Sequence, residues 1–149
     1  MQRNSNIAAF LGLILFLTAS GCSSFHKNWR AAALQTPTDD ISGRWTGTWK
    51  SDSNGHNDKL RCIISKIDEQ HYSAQFHAKY KKILSFSYTV SLIATNDASG
   101  RHNFKGEADL GKLAGGRYTY EGFATPTNFF SRYNSKYDHG IFELSRIQE

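Results

Sequence analysis

Cysteine thiols together with histidine imidazoles are the first set of residue types in the sequence that could do chemistry. The chain contains two cysteines, Cys22 and Cys62, and six histidines. A cysteine acts as a nucleophile or a metal ligand when it is an accessible thiolate. Cys62, however, lies between Leu60 and Ile64 in an alternating apolar pattern, which predicts a buried thiol. The histidines also lack the His-x-x-x-His, His-Glu-x-x-His and Cys-x-x-Cys spacings of metal sites, so we expect no metal and no cofactor.

Paired acidic and basic side chains are the second arrangement. His56 with Asp58, and Asp138 with His139, lie in predicted loops, where they could meet at one barrel end or belong to ordinary solvated turns. Three carboxylates point away from the apolar faces of their strands: Glu107, Asp109 and Glu121. Acid–base catalysis needs such groups within hydrogen-bond reach in a cleft. We therefore predict no catalytic residues and expect that the protein is not an enzyme.

A period of two in hydrophobicity, running from Ile41 to Arg146, predicts the elements that position these residues. One face of the first segment carries Ile41, Gly43, Trp45, Gly47 and Trp49. The same alternation recurs over 60–65, 72–80, 86–95, 104–110, 118–124 and 140–146, with a less regular piece at 129–133. The period therefore predicts strands throughout this region and no long helix.

The succession of short strands and tight turns predicts an all-β domain over residues 41–149, an antiparallel up-and-down meander of seven or eight strands. One face of each strand is apolar, so the sheet must close into a small barrel or fold into a two-sheet β-sandwich to bury that face. We favour the barrel because closure also removes exposed strand edges. The total length of 149 residues suits a single core.

The predicted inner face mixes large aromatic residues with small ones. The small inward residues are Gly43, Gly47, Ala74, Ala78, Gly106, Ala108, Gly122 and Ala124. They either make room for neighbouring rings, so that the interior is filled, or leave a cavity lined with aromatic side chains. If there is a cavity, Trp45, Trp49, Tyr118 and Tyr120 are the predicted ligand-binding residues. A ligand with one polar end would suit buried tyrosine hydroxyls.

One stretch, residues 79–84, mixes lysines with apolar residues, and Arg132 and Lys136 add charge elsewhere. This patch could contact anionic lipid headgroups or other envelope polyanions, or it could be a solvated loop. The formal net charge of +5 is small for an exported nucleic-acid-binding protein. We expect no nucleic acid partner, and no feature of the sequence identifies a protein partner.

The N-terminal segment has the layout of a signal peptide over residues 1–21. Arg3 precedes an apolar run, 7–19, which at 1.5 Å per residue reaches only about 20 Å and is too short for a permanent membrane span. The following Ala19-Ser20-Gly21-Cys22-Ser23-Ser24 resembles the lipobox of bacterial lipoproteins. The resemblance implies cleavage before Cys22, a membrane lipid on its thiol and stable anchoring. Ordinary cleavage after Ser20 is the alternative.

The resemblance implies a lipidated N-terminus at residue 22. Residues 23–40 have no sustained period of two, contain one proline and end in Asp39-Asp40, which predicts that 22–40 is a lipidated N-terminus and flexible tether with a helical turn near 29–34. It implies a bacterial cell-envelope protein, and Ser23 after the lipidated cysteine fits the periplasmic side of the outer membrane. The segment Ser42-Gly43-Arg44-Trp45-Thr46-Gly47-Thr48-Trp49 resembles the first strand of lipocalins and of avidin-type barrels. That resemblance implies a compact barrel in which a tryptophan closes one end.

A wider pattern supports the same class of protein. Trp45-x-Gly-x-Trp49, Asn54-Gly55-His56, Leu60-Arg61-Cys62 and Asp138-His139-Gly140 are similar to a group of uncharacterised bacterial envelope proteins, which implies no activity. The sequence thus favours a membrane-anchored barrel that binds a small apolar or amphipathic molecule. The alternative is a filled barrel that serves as a structural or protein-interaction module of the envelope.

Overall fold

The structure is a computed structural model that describes residues 24–36 and 38–148; the predicted leader and Cys22 lie outside the described residues. The eight strands are β1 Gly43–Ser51, β2 Asn57–Lys66, β3 His71–Tyr80, β4 Leu84–Asn96, β5 His102–Asp109, β6 Arg117–Ala124, β7 Asn128–Ser135 and β8 His139–Arg146. A single 3-10 turn, Lys112–Ala114, lies between β5 and β6. Seven or eight strands were predicted, and the larger number is confirmed. β7 is regular, although its central inward residue, the small and buried Ser131, interrupts the apolar pattern.

The sheet closes on itself. Each strand pairs antiparallel with the next, and β8 returns to pair with β1, where Trp45 lies opposite Arg146 and Trp49 opposite Phe142. Every strand thus has a partner on both sides. The predicted closed up-and-down barrel is confirmed, and the two-sheet β-sandwich is excluded.

Some small inward residues allow neighbouring strands to approach closely. A Cβ atom on Gly47 would stand 2.0 Å from the backbone oxygen of Glu143 in β8, and one on Gly122 would stand 2.0 Å from the backbone oxygen of Phe130 in β7. Real Cβ contacts are much longer, so only glycine fits at these two positions. The requirement is steric, because neither residue has a positive φ.

The two barrel ends differ. We call the end with loops 52–56, 81–83, 110–116 and 136–138 the cavity end, and the end with loops 67–70, 97–101 and 125–127 the closed end. The closed end is filled: buried Trp45 donates its indole N–H to the Ile41 carbonyl at 3.0 Å. The Arg146 guanidinium lies 4.3 Å from the centre of the Trp45 ring and covers it from outside. Phe129 packs beside Trp45 at 5.8 Å and stacks on Phe104 at 4.7 Å.

A helix covers part of the outer wall. Residues 24–32 are helical, a longer and earlier helix than the turn predicted near 29–34, and they pack on β2 and β3 where the sequence suggests a free tether. Phe25 is fully buried and stacks on His77 at 4.7 Å, and the Arg61 guanidinium lies over the rings of Phe25 and Trp29. The helix explains why two residues on the outer side of their strands, Ile63 and His77, are buried.

A candidate ligand cavity at one end of the barrel

A cavity of about 680 Å³ lies inside the cavity end of the barrel. Its walls come from the strand ends and from loop 110–116. Aromatic rings provide most of the lining: Trp49, Tyr80, Phe86, Tyr88, Tyr118, Tyr120, Tyr133 and Phe142. Ala78 faces the cavity and leaves room between these rings. The volume lies within the usual range of about 300–1,000 Å³ for small-molecule sites.

The rings are packed against one another and are held in place. Phe142 lies 5.0 Å from Tyr133 and 6.0 Å from Tyr120, measured between ring centres. Trp49 donates its indole N–H to the carbonyl of Lys79 at 2.9 Å, which fixes the ring across the mouth. Aromatic packing of this kind stabilises a preformed wall. The cavity is therefore a rigid and mostly apolar space.

Three tyrosines of the lining, Tyr88, Tyr120 and Tyr133, have a raised hydroxyl pKa and keep their protons at ordinary pH. Burial, followed by the neighbouring Tyr120, raises the pKa of Tyr88 well above its ordinary value. Burial also raises the pKa of Tyr120 and of Tyr133. A hydroxyl that keeps its proton can donate one hydrogen bond and accept another. The cavity thus offers neutral polar contacts within an apolar lining.

Asp109 and Asp138 are the acidic residues of the cavity wall, and two hydroxyls donate hydrogen bonds to Asp138. Ser51 Oγ donates to Asp138 Oδ1 at 2.6 Å, and the Tyr133 hydroxyl donates to Asp138 Oδ2 at 3.1 Å. These bonds tie the loop 136–138 to β1 and β7. Asp138 therefore positions the Tyr133 ring, and the carboxylate has further lone pairs for a ligand donor.

The four ligand-binding residues predicted from the sequence do not lie together. Trp49, Tyr118 and Tyr120 line the cavity, whereas Trp45 is fully buried at the closed end and lies outside it. Trp45 and Trp49 share the inner face of β1, but four strand residues separate them by about 13 Å. Alternation along a strand shows which face of the sheet a residue lies on, but it does not show how far along the barrel axis the residue lies. The same alternation also carried Tyr80, Phe86, Tyr88 and Phe142, and Tyr133 comes from the less regular piece 129–133; these five complete the aromatic lining.

The two predicted loop pairs lie at the same end but do not meet. His56 packs between Trp49, at 5.2 Å, and Tyr80, at 4.6 Å. Asp58 accepts a hydrogen bond from the backbone N–H of Lys82 at 2.8 Å. His139 Nδ1 lies 3.0 Å from Ser53 Oγ. Each pair thus stabilises local structure around the mouth.

The remaining candidates for chemistry are placed in structural roles. Cys62 is buried in the barrel interior as predicted, and burial raises the pKa of its thiol well above the ordinary value. Glu107 is on the outer face, where the Arg117 guanidinium donates to it at 2.9 Å. Within residues 24–36 and 38–148, no three His, Cys, Asp or Glu side chains are placed to hold a metal ion together.

Depressions outside the barrel are of a different kind. Two of about 620 and 530 Å³ lie on the outer wall along β4, β5 and β6, between exposed side chains such as Ile93 and Lys105. Fewer aromatic side chains line these depressions than line the cavity at the barrel end. That cavity is therefore the strongest candidate site in the described part of the chain.

Comparisons with known proteins find no matching family model, no similar curated protein and no similar solved structure. In the part of the chain that the structure covers, no helix has the length and apolar character needed to span a bilayer.

Proposed function

We propose that the protein is a lipid-anchored protein of the bacterial cell envelope whose barrel binds one small apolar or amphipathic molecule. The observation that carries the proposal is the cavity of about 680 Å³ lined by eight aromatic rings, of which Trp49, Tyr120, Tyr133 and Phe142 are buried. A space of this size could hold a drug-sized molecule. The alternative, a filled barrel acting as an interaction module, is less favoured because only the closed end is filled.

The chemistry of the lining favours a ligand with an apolar body and one polar group. Rings of Phe86, Phe142 and Trp49 offer apolar contact, whereas the hydroxyls of Tyr120 and Tyr133 are neutral. The carboxylate of Asp138 on the same wall disfavours an anionic group and favours a hydrogen-bond donor such as a hydroxyl. We therefore propose a neutral or donor-bearing amphipathic ligand.

The experiment that tests ligand binding uses a neutral apolar fluorophore, N-phenyl-1-naphthylamine, titrated into the purified chain. We expect saturable fluorescence enhancement with one site per chain. An Ala78→Leu variant fills part of the cavity and should bind at least about tenfold more weakly, a loss of about 1.4 kcal/mol or more. Ala98→Leu, in the exposed loop 97–101, is the matched control and should bind as the wild type does.

Unfolding by urea shows whether both variants keep the fold. If the wild type does not bind the probe, or if the Ala78→Leu variant folds and binds equally well, the ligand proposal is rejected in favour of the interaction module. Native mass spectrometry of the chain purified from its own envelope then identifies any molecule that stays bound.

The anchor has a separate test. The intact mass of the membrane-extracted protein, beside that of a Cys22→Ala variant, should show a gain of lipid size on the wild type alone. A wild-type mass equal to that of the unmodified chain cut after Ser20 would replace the lipoprotein proposal by ordinary signal cleavage.

A further inference from the structure

The loop tips at the cavity end carry exposed large apolar side chains. Ile83 is 86% exposed, Leu113 88% and Tyr137 68%. These residues belong to three different loops, 81–83, 110–116 and 136–138, which the barrel topology brings to one end. Leu84 and Phe86, at the start of β4, are exposed beside them. Exposed apolar residues gathered at one place mark an interaction surface more often than scattered ones do.

Each of these tips also carries a cation next to its apolar residue. Lys82 precedes Ile83, Lys112 precedes Leu113 and Lys136 precedes Tyr137. Lys81 adds a fourth cation, and its ammonium group lies 5.4 Å from the centre of the Tyr80 ring. No ion pair found among the described residues involves these four lysines. The tips thus combine apolar residues with four lysines that form no ion pair among the described residues, whereas Asp52, Asp58, Asp109 and Asp138 lie elsewhere at the same end.

The loops of the closed end and the segment before β1 carry the carboxylates Asp39, Asp40, Asp68, Glu69 and Asp97. Lys66, His71 and Arg101 pair with Asp40, Asp68 and Asp97, respectively, and the Arg146 guanidinium covers Trp45 at the same end. Within the described residues, the combination of exposed apolar tips and lysines that form no ion pair is thus found at the cavity end.

The lysine-rich tip is held in an unusual backbone conformation. Lys81 and Lys82 both have positive φ, 51° and 63°, a region that costs energy for residues other than glycine. Asp58 accepts the Lys82 N–H at 2.8 Å, and His56 Nε2 accepts the Lys81 N–H at 3.4 Å. These bonds present Ile83 at the tip of the loop.

The chain also enters the described structure from the same side. Along β3, Phe25 contacts His77, whereas Asn28 donates to Gln75 at 3.0 Å, so the helix runs away from the cavity end. From His77 to Tyr80 the strand rises by about 10 Å. Two residues, Ser23 and Ser24, lie between Cys22 and Phe25, and Ser24 is already helical. The chain from Cys22 to Ser24 can span at most about 7 Å. A lipid on Cys22 is therefore attached close to the helix end that lies nearer the loop tips.

We propose that the tips around Ile83, Leu113 and Tyr137, with Lys81, Lys82, Lys112 and Lys136, form a docking surface for an anionic lipid bilayer. Apolar tips enter the headgroup region, the Tyr137 ring suits the interface, and the lysines contact anionic headgroups. In this arrangement the cavity opens toward the membrane. The proposal rests on the side chains of the loop tips and stands whether or not the cavity holds a ligand.

The test uses the full mature chain reconstituted in phosphatidylcholine vesicles with and without phosphatidylglycerol. A fluorophore is attached at Leu113→Cys or, as the matched control at the closed end, at Ile67→Cys, a position that is 66% exposed. Brominated lipids quench only a fluorophore that contacts the bilayer. We expect strong quenching at residue 113 when phosphatidylglycerol is present and little at residue 67. The unsubstituted chain measures any labelling of Cys22, and buried Cys62 should not react.

Charge reversal tests the role of the lysines. A Lys81→Glu/Lys82→Glu variant should lower the equilibrium constant for tip contact by about fivefold or more for each lysine lost, whereas Lys105→Glu on the outer wall should leave it unchanged. Equal quenching at residues 113 and 67, or none at 113, overturns the proposal. Absence of quenching at 113 would also leave the tips free for a protein partner.

Discussion

At the residue scale, Arg146 closes one end of the barrel. Its guanidinium donates to the carbonyls of Pro126 at 2.7 Å, Ser42 at 2.5 Å and Asp40 at 2.6 Å, and it covers the Trp45 ring. These three carbonyls come from the segment before β1 and from the loop between β6 and β7. One side chain at the end of β8 thus joins the segment before β1 to loop 125–127.

The first prediction follows from the fork shape of this group. Arg146→Ala should lower the free energy of unfolding by about 2–4 kcal/mol, because three carbonyls lose a charged donor and Trp45 loses its cover. Arg146→Lys should recover less than half of that loss, since one ammonium group cannot reproduce the planar fork. Urea unfolding measures both. Arg132→Ala, an exposed site, is the control and should change stability by less than about 0.5 kcal/mol; an equal effect of both alanine variants would contradict this role of Arg146.

At the element scale, the helix 24–32 is attached to the barrel through aromatic and cationic contacts. Phe25 covers His77, and Asn28 bonds to Gln75. His77 Nδ1 lies 2.8 Å from Ser87 Oγ. Burial, then the nearby charges of Arg61, His26 and Lys79, lowers the pKa of His77 to about 4. The neutral imidazole is therefore the form that the docked helix favours.

The second prediction is that acid weakens helix docking. An exposed imidazole has an ordinary pKa of about 6.5, so a state with the helix released binds more protons between pH 6.5 and 4. The contribution of His77 to docking is complete above pH 6.5 and decreases as the pH falls toward 4. The loss between pH 7.5 and pH 5 should be about 2 kcal/mol.

Acrylamide quenching of tryptophan fluorescence measures this release, because Trp45 and Trp49 are buried in the barrel and Trp29 is on the helix. Quenching should increase as the pH falls toward 5. In a His77→Phe variant, which keeps a ring under Phe25 but cannot titrate, the increase should disappear. An unchanged pH dependence in that variant would assign the effect to another group, such as His26.

At the scale of the whole molecule, the barrel is filled at one end and hollow at the other. The fully buried side chains Trp45, Phe76, Leu60 and Ile64 occupy the interior below the cavity. Cys62 lies on the same inner face of β2, between two paired neighbours, β1 and β3. Because β2 is paired on both sides at this position, with Trp45 and Phe76 opposite Cys62, we expect that a reagent reaches this thiol only when these pairs separate.

The third prediction is that Cys62 reacts only when the barrel unfolds. The rate of its modification by an aromatic disulfide reagent should rise with urea with the same slope as the free energy of global unfolding. An Ala98→Cys variant provides the exposed control and should react at once without urea. A modification rate at Cys62 that is independent of urea would indicate a local opening of β2 instead.

The sequence by itself determined the fold class and the inner face of the barrel. Side chains alternate across a strand by local geometry, so the inward positions of Trp45, Trp49, Cys62 and Tyr120 could be predicted without knowing any partner strand. The sequence favoured closure over a two-sheet sandwich because closure also pairs the strand edges, and the pairing of β8 with β1 decides between the two. The leader and the lipid on Cys22 stay predictions, because both lie outside the described residues.

Only the tertiary structure decided which end is hollow and what covers the outer wall. The level of a residue in a barrel depends on strand tilt and on the register of all eight strands, and a period of two contains neither. Trp45 and Trp49 therefore look equivalent in the sequence, yet Trp45 fills the closed end of the barrel and Trp49 lines the cavity. Burial of His77 likewise depends on Phe25, far away along the chain, which only packing brings to the outer wall.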